Sequence, residues 1–233
     1  MNTALNEQSD AEDRRNLISG ISILERLGII DFNGHFSVRL EDGNILINTG
    51  SSVRSALTPD QFVVVGPNGE ADDNAPKPPM ELALHVAIYN ARPDVRSVAH
   101  GHPKWSNLLS SAEIDYQVTF AQGALLGEIP RFSSPRSVNN PEIAKEVASV
   151  LGSGRATLLR AHGIVVAAEN ILQTTVLAIY LEQNAERQVR GHSLGKTYIF
   201  SAEEIAACQK GLWKQGLFEK CWNYYLAKFD LSA

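Results

Sequence analysis

Histidine is the residue type whose spacing in this chain most suggests chemistry. His100 and His102 stand two positions apart at the end of the apolar run RSVAHGHPKW, residues 96–105. Side chains two apart on a strand point to the same face, so these two histidines can bind one ion. Imidazole nitrogens suit divalent transition metals, which makes the pair a candidate metal site. A His-x-His pair alone is equally compatible with a structural role. Whether the pair binds a metal depends on whether other segments of the chain supply further ligands.

Two further segments supply such partners. His162 is followed by glycine at a break between two β-branched runs in ATLLRAHGIVVAAE (156–169), where a side chain can project into a site. Glu81 and His85 are four positions apart in MELALHVAIYNA (80–91), which puts them on one face of a predicted helix. Three imidazoles with a nearby carboxylate can bind a divalent metal and leave a coordination position open to substrate or water.

Each of these residues also has a structural interpretation. A histidine on an apolar helical face, such as His85, is more often a hydrogen-bonded core residue than a ligand. A carboxylate near a helix N-terminus, such as Glu81, commonly complements the helix dipole. His35, after a glycine, can be an ordinary turn residue, and His192 is predicted to lie in a solvated loop, RGHSLG. The residues alone leave both interpretations open.

Helices and strands alternate along the chain without a regular βαβ repeat. The patterns predict helices over 12–28, 80–91, 103–112, 141–152 and 171–191, a mostly helical C-terminal segment over 202–229, and strands in GHFSVRL, NILINTG, QFVVV, VRSVAH and the two runs around position 162. A glycine-rich phosphate fingerprint is missing, which argues against a dinucleotide-binding fold. We therefore predict one α/β domain over 1–233, with a mixed, mainly antiparallel sheet and flexible residues 1–13.

Composition makes several classes of partner unattractive. The 233 residues carry a formal net charge of −5 and no run of Lys and Arg, so we expect no nucleic-acid partner and no membrane partner. No apolar run approaches the ~18–20 residues of a membrane span. Cys208 and Cys221 are too few for a disulfide framework, and the polar, acidic start of the chain is unlike a signal peptide. These features predict a cytoplasmic protein.

Taken in order, the segments GHFSVRL, LTPDQFVVV, PPMELALHVAIYNARPDVRSVAHGHP and ATLLRAHGIVVAAENILQTTVLAIYLEQNAE resemble the class II aldolase/adducin family, over about residues 14–190. The resemblance implies a three-layer α/β/α domain that assembles into a homotetramer. It also implies one divalent transition metal per subunit, Zn, Mn, Fe or Co, bound by His100, His102 and His162. Glu81 is then the acid/base carboxylate beside the metal.

The chain departs from the pattern by which sugar-phosphate aldolases of this family bind phosphate. Their Gly-Asn-x-Ser turn is GHFS here, with His35 in the asparagine position, and their Ser-Ser-Glu run is PPME. Pro78 and Pro79 lack backbone N–H groups, and both serine hydroxyls are absent. We therefore expect a small-molecule carboxylate substrate rather than a sugar phosphate.

This hypothesis assigns a role to each candidate site residue. Glu81 and His85 are the expected catalytic residues, and the expected substrate contacts are His35, Ser51, Arg54, Arg131 and Tyr225. The histidine and the two arginines of that set can hold a second carboxylate of the substrate. Tyr225 lies in an aromatic helical segment that can be a proton-donating lid or can simply pack on its own core.

Family members split carbon–carbon bonds, epimerise, dehydrate or decarboxylate. We expect decarboxylation of a hydroxylated aromatic or pyridine (di)carboxylate through metal-stabilised enolate chemistry. Aldol cleavage of a non-phosphorylated hydroxy-keto acid is the main alternative, followed by epimerisation, dehydration and iron-dependent oxidative decarboxylation. A metal-free, adducin-like interaction module is the alternative of a different class. It is disfavoured because all three ligand positions are histidine.

Overall fold

The protein folds around one open, seven-stranded sheet with helices on both faces. A computed structural model describes the backbone of residues 2–231 and the side chains of residues 9–231. The strands are β1 (His35–Arg39), β2 (Ile45–Asn48), β3 (Phe62–Val65), β4 (Ser97–Gly101), β5 (Arg131–Phe132), β6 (Ala156–Leu159) and β7 (Gly163–Ala168). The helices are α1 (Asn2–Arg26), α2 (Leu82–Ala91), α3 (Lys104–Ser111), α4 (Pro141–Leu151), α5 (Ile171–Ser193), α6 (Ala202–Leu212) and α7 (Gln215–Lys228).

The sheet is mixed and mainly antiparallel, as predicted. Its strand order is β3-β2-β1-β4-β7-β6-β5. Five of the six strand pairings in the described chain are antiparallel, and β5 pairs with β6 in parallel. The prediction of a three-layer α/β/α fold is confirmed.

Two hydrophobic cores, one on each face of the sheet, explain the three layers. Leu46 of β2 joins the core formed with α1, α5 and α7, whereas Ile45 and Ile47 of the same strand join the core formed with α2 and α4. Neighbouring strand side chains point to opposite faces, so a strand covered on both faces has an unbroken apolar sequence. Within the described residues, no helix is both long enough and apolar enough to cross a membrane.

The ends of two helices differ from the predictions. α1 begins at Asn2, so this helix is longer than predicted and includes residues 2–13, whose flexibility stays a prediction; Met1 lies outside the described residues. α5 continues to Ser193, which places His192 in the last helical turn instead of a loop. Its Nδ1–H donates to the carbonyl oxygen of Gln188 at 2.7 Å, which satisfies a backbone acceptor near the helix end.

Strand register brings the candidate residues to one end of the sheet. His35 begins β1 and is paired with His100 near the end of β4. Gly101 at the end of β4 is paired with Ile164 at the start of β7. The tight β6–β7 turn, closed by the pairing of Leu159 with Gly163, therefore presents position 162 at the same end. This end of three neighbouring strands is where the candidate site forms.

Candidate metal centre

The structure brings the three candidate metal ligands together. Nε2 of His100 lies 3.1 Å from Nε2 of His102. The His162 ring is 5.1 Å from the His100 ring and 5.4 Å from the His102 ring, measured between centroids. One nitrogen from each residue lies within 4.8 Å of the other two. A single ion can therefore contact all three side chains.

Hydrogen bonds at the far side of two of these rings decide which nitrogen faces the site. His100 Nδ1 donates to the carbonyl oxygen of Ile164 at 2.9 Å, and His102 Nδ1 donates to Oδ1 of Asp31 at 2.9 Å. In the neutral rings both Nε2 atoms then carry lone pairs. Two lone pairs facing each other at hydrogen-bond distance repel, and a cation between them removes that repulsion. The donor set thus fits a divalent metal.

His162 adds a third nitrogen ligand. Burial lowers the pKa of its imidazole to about 4, so the ring is neutral at pH 7, the form that binds metals. Its buried Nδ1 has no hydrogen-bond partner among the described residues, and its Nε2 lies 3.7 Å from Oε1 of Glu81. His162 follows Ala161, which has a φ of 51°. The tight turn aims the ring back over the sheet end.

Glu81 occupies the N-cap position of α2, but its side chain makes no capping hydrogen bond to that helix. Instead Oε1 accepts hydrogen bonds from Val138 N at 2.6 Å and Ser137 Oγ at 2.8 Å. Oε2 lies 3.3 Å from Nε2 of His100 and 3.4 Å from Nε2 of His35. Burial raises the pKa of this carboxyl, but the neighbouring imidazoles and the Ser137 hydroxyl outweigh burial and lower it below its usual range. An ionised carboxylate beside three imidazoles can move a proton or assist a metal.

His85 does not reach the site directly. It is fully buried, and its Nε2 lies 2.7 Å from Nδ1 of His35. Its Nδ1 lies 2.6 Å from Oγ of Ser37. One imidazole, that of His35, separates His85 from Glu81, so the structure does not bring His85 to the site, and its catalytic role stays a prediction. His35, in turn, is a buried strand residue rather than a turn residue.

A cavity of about 340 Å³ opens beside Glu81. Its walls include His35, Arg54, Ser137, His162 and the paired prolines at positions 78 and 79. A larger cavity, about 590 Å³, lies between α2 and α4, but its apolar walls carry no histidine, aspartate or glutamate. Reactive side chains rather than size identify the smaller cavity as the candidate active site.

Arg54 presents one free edge to this cavity. Its Nε donates to the carbonyl oxygen of Gly34 at 2.7 Å. Nη1 donates to the carbonyl oxygen of Thr49 at 3.2 Å and to Ser52 Oγ at 2.7 Å. These bonds fix the guanidinium, and Nη2 has no hydrogen-bond partner among the described residues, which leaves it for a ligand. A guanidinium held this way is suited to an anionic substrate group.

The other predicted substrate contacts do not line the cavity. Arg131 lies in β5 at the edge of the sheet, and its Nη2 is 3.3 Å from Oδ1 of Asp115. Tyr225 packs in the core under α7, and its hydroxyl accepts a hydrogen bond from Gln183 Nε2 at 3.1 Å. Ser51 is exposed in the loop after β2. Within one chain, the structure does not bring Arg131, Tyr225 or Ser51 to the site.

Sequence reasoning missed three residues that shape the centre. Asp31 orients His102, and Ser137 and Val138 hold Glu81. A turn signal was present at Asp31, whose Oδ1 also accepts the N–H of Gly34 at 3.0 Å in the DFNG segment. Its contact with His102, 71 positions away, could not be predicted from any local pattern.

Comparisons with known proteins agree with this fold. The 3,4-dihydroxyphthalate decarboxylase of Rhodococcus jostii strain RHA1 is 28% identical over 180 residues, covering 71% of this chain and 74% of that protein. The L-fuculose phosphate aldolase of Escherichia coli strain K12 is 28% identical over 199 residues, covering 82% of this chain and 90% of that protein. The structure of L-fuculose 1-phosphate aldolase from Glaciozyma antarctica PI12 superposes with a TM-score of 0.82 at 19% identity, over 95% of this chain and 90% of that one. Residues 16–189 match the family model described as Class II Aldolase and Adducin N-terminal domain, and the chain therefore belongs to that family.

Proposed function

We propose that this protein is a divalent-metal-dependent carbon–carbon lyase that decarboxylates a hydroxylated aromatic or pyridine carboxylate. The observation that carries this proposal is a cavity lined by Glu81, Arg54 and His162, the last of which groups with His100 and His102 as possible metal ligands. A metal bound by His100, His102 and His162 would supply a Lewis acid that polarises a substrate oxygen.

The protein's own residues supply binding and proton transfer. Nη2 of Arg54 binds a carboxylate of the substrate and sets its orientation. Glu81 Oε2 accepts the proton of the substrate hydroxyl, and the oxyanion so formed pushes electron density through the ring to the carbon that bears the leaving carboxylate. Glu81 returns the proton to that carbon, and CO2 then leaves as the carbon–carbon bonding pair restores the aromatic ring and the oxyanion. The product oxygen finally takes a proton from solvent, which balances the reaction.

The cavity wall favours a carboxylate over a phosphate. Pro78 and Pro79 lie where backbone N–H groups would otherwise face the substrate, and neither can donate a hydrogen bond. Met80 completes this wall with a thioether. An apolar wall of this kind suits the flat face of a ring. The likeness to a 3,4-dihydroxyphthalate decarboxylase supports the same substrate class.

Aldol cleavage is the second candidate function. The likeness to an L-fuculose phosphate aldolase over 90% of that protein supports it, and the same carboxylate and metal ligands can serve both reactions. The two reactions differ in the fragment released, which is CO2 in one and an aldehyde in the other.

A substrate panel separates these candidates. Metal-loaded protein is incubated with hydroxy-aromatic dicarboxylates, 2-keto-4-hydroxy acids and sugar phosphates, and both CO2 and aldehyde are quantified. We expect CO2 from the first group, loss of turnover in Glu81→Gln and a raised KM in Arg54→Lys. Arg131→Lys is the matched control outside the cavity and is expected to behave like the wild type. Aldehyde from a sugar phosphate with no CO2 from any carboxylate would overturn the proposal.

We also propose that the chain forms a single domain over residues 1–233, assembles into a tetramer, acts in the cytoplasm and binds one Zn, Mn, Fe or Co ion. Membership of the family supports this assembly and metal. Exposed apolar side chains support burial of the cavity rim by another copy. Met80 lines the cavity and is 81% exposed, and Phe32 (83%) and Val53 (57%) adjoin the lining residues Asn33 and Arg54 in the chain. Elemental analysis of the purified protein tests the bound metal, and light scattering tests the tetramer.

A further inference from the structure

Behind Glu81 runs an unbroken chain of buried polar groups. The hydroxyl of Tyr89 lies 2.7 Å from Ser37 Oγ, which lies 2.6 Å from His85 Nδ1. His85 Nε2 lies 2.7 Å from His35 Nδ1, and His35 Nε2 lies 3.4 Å from Glu81 Oε2. Each of the four residues behind the carboxylate is at most 3% exposed. We call Tyr89, Ser37, His85 and His35 the buried relay.

Counting protons along the buried relay leaves one consistent arrangement. Nε2 of His85 and Nδ1 of His35 lie 2.7 Å apart in the buried interior and can share only one proton. A second proton on either ring would bury a further charge, so each ring carries one N–H and one lone pair. If His35 donated to His85, its other nitrogen would turn a lone pair toward the ionised Glu81. That contact would be repulsive. His35 must therefore carry its proton on Nε2 and accept on Nδ1.

The His35 tautomer determines the proton positions of the other three residues of the buried relay. His85 must donate from Nε2 to His35, which leaves its Nδ1 as an acceptor. Ser37 must then donate its single hydroxyl proton to His85, so its oxygen can accept only from Tyr89. Burial raises the pKa of Tyr89, so the phenol keeps its proton. Every hydrogen in the buried relay points toward Glu81.

We propose that Tyr89, Ser37 and His85 are positioning residues that hold His35 in the tautomer protonated on Nε2, so that His35 donates to Oε2 of Glu81. This inference rests on the proposed role of Glu81 as the proton carrier. Its oxygen Oε1 is held independently from the opposite side by Ser137 and Val138. Both carboxylate oxygens are thus fixed, and the buried relay decides the hydrogen-bond partner of the one nearest the metal ligands.

Ring-nitrogen NMR tests the tautomers directly. Long-range ¹⁵N–¹H correlations are recorded on zinc-loaded, full-length protein, with signals assigned by single His→Gln variants. We expect both His35 and His85 to carry their proton on Nε2 alone. A proton on Nδ1 of His35 in the wild-type protein would overturn the proposal. This measurement needs no substrate, so failure of the decarboxylase proposal and failure of the tautomer proposal are distinguishable.

Variants of the buried relay supply the functional readout. Ser37→Ala removes the donor to His85, so we expect a mixture of tautomers at His35 and a kcat lower by about tenfold, the value of one hydrogen bond, with KM unchanged. Ser37→Thr keeps a hydroxyl and is expected to restore both the single His35 tautomer and the wild-type kcat. Tyr89→Phe is expected to lower kcat and mix the tautomers less than Ser37→Ala does. Ser97→Ala is the matched control, because this buried serine of β4 donates to the backbone carbonyl oxygen of Ser37 and not to a side chain of the buried relay.

Two outcomes of the variant series would contradict the inference. Lost turnover in a folded Ser37→Ala protein with unchanged His35 signals would show that the hydroxyl acts in another way. Unchanged kcat with mixed tautomers would show that the tautomer does not matter for turnover. If Ser37→Ala fails to fold, Tyr89→Phe and the wild-type spectrum still decide the question.

Discussion

Replacing Gly163 by alanine tests whether the close approach of two strand ends builds the metal centre. A Cβ atom at Gly163 would lie 2.3 Å from the carbonyl oxygen of Gly101 and 3.0 Å from Cδ2 of His102. Non-bonded carbon atoms normally approach to about 3.5 Å, so the backbone must move by about 1 Å to accept the methyl group. The nearest atom belongs to the backbone and cannot rotate away.

This displacement falls between the metal ligands themselves. Gly163 follows His162 directly, and Gly101 separates His100 from His102. Metal–ligand distances tolerate only about 0.2 Å, so a shift of about 1 Å pulls one ligand away from the other two. We expect metal affinity to fall at least about tenfold. Overpacking of this kind costs about 1–3 kcal/mol of unfolding free energy, or roughly 2–10 °C in Tm for a chain of this size.

The assay is calorimetric titration of zinc into chelator-treated protein, combined with thermal unfolding of the same samples. Gly211→Ala is the matched control, because a Cβ at Gly211, in α6, would meet nothing within 4 Å. It is expected to bind zinc like the wild type and to gain up to about 1 kcal/mol of stability. Wild-type zinc affinity and Tm in Gly163→Ala would refute the reasoning that close backbone approach positions the ligands.

Three further predictions concern the metal and the core. Asp31→Asn removes the negative charge that accepts a hydrogen bond from the His102 imidazole, so zinc affinity in the same titration should fall by about 10–100-fold. Asp72→Asn, at a similar exposed turn, is the control and should leave zinc affinity unchanged. Metal removal should lower the unfolding free energy by about 2.7 kcal/mol relative to protein with free metal at 100 times Kd, and a difference of equal size in His100→Ala would contradict the assigned site. The Glu182 carboxylate accepts hydrogen bonds from the backbone N–H groups of Trp105 and Ser106, in the first turn of α3, at 2.6 and 3.0 Å. Urea unfolding of Glu182→Ala should therefore show an unfolding free energy lower by about 2–3 kcal/mol. Glu186→Ala, one turn further along α5, is the control and should show a much smaller change.

Local pattern was sufficient for much of the architecture and for the metal ligands. The helical periodicity that predicted 141–152 and 171–191 matches α4 and α5, because each helix buries a long apolar face. Two-residue spacing placed His100 and His102 on one face of a strand, and this geometry does not depend on the rest of the fold. Four-residue spacing likewise predicted that Glu81 and His85 lie close together, and both side chains contact His35, although α2 begins at Leu82 with Glu81 at its N-cap.

Which elements meet was decided by the tertiary structure alone. Arg131 and Tyr225 are plausible by residue type, but sheet order places one at the far edge and core packing buries the other. His85 faces the right side of its helix, yet the neighbouring strand puts His35 between it and Glu81. The contact of Asp31 with His102 likewise joins a turn to a distant strand end. The sequence by itself determined the strands, the helices and the ligand types, because these follow from short-range spacing; the partners of each ligand depend on strand order and register, which only the folded chain sets.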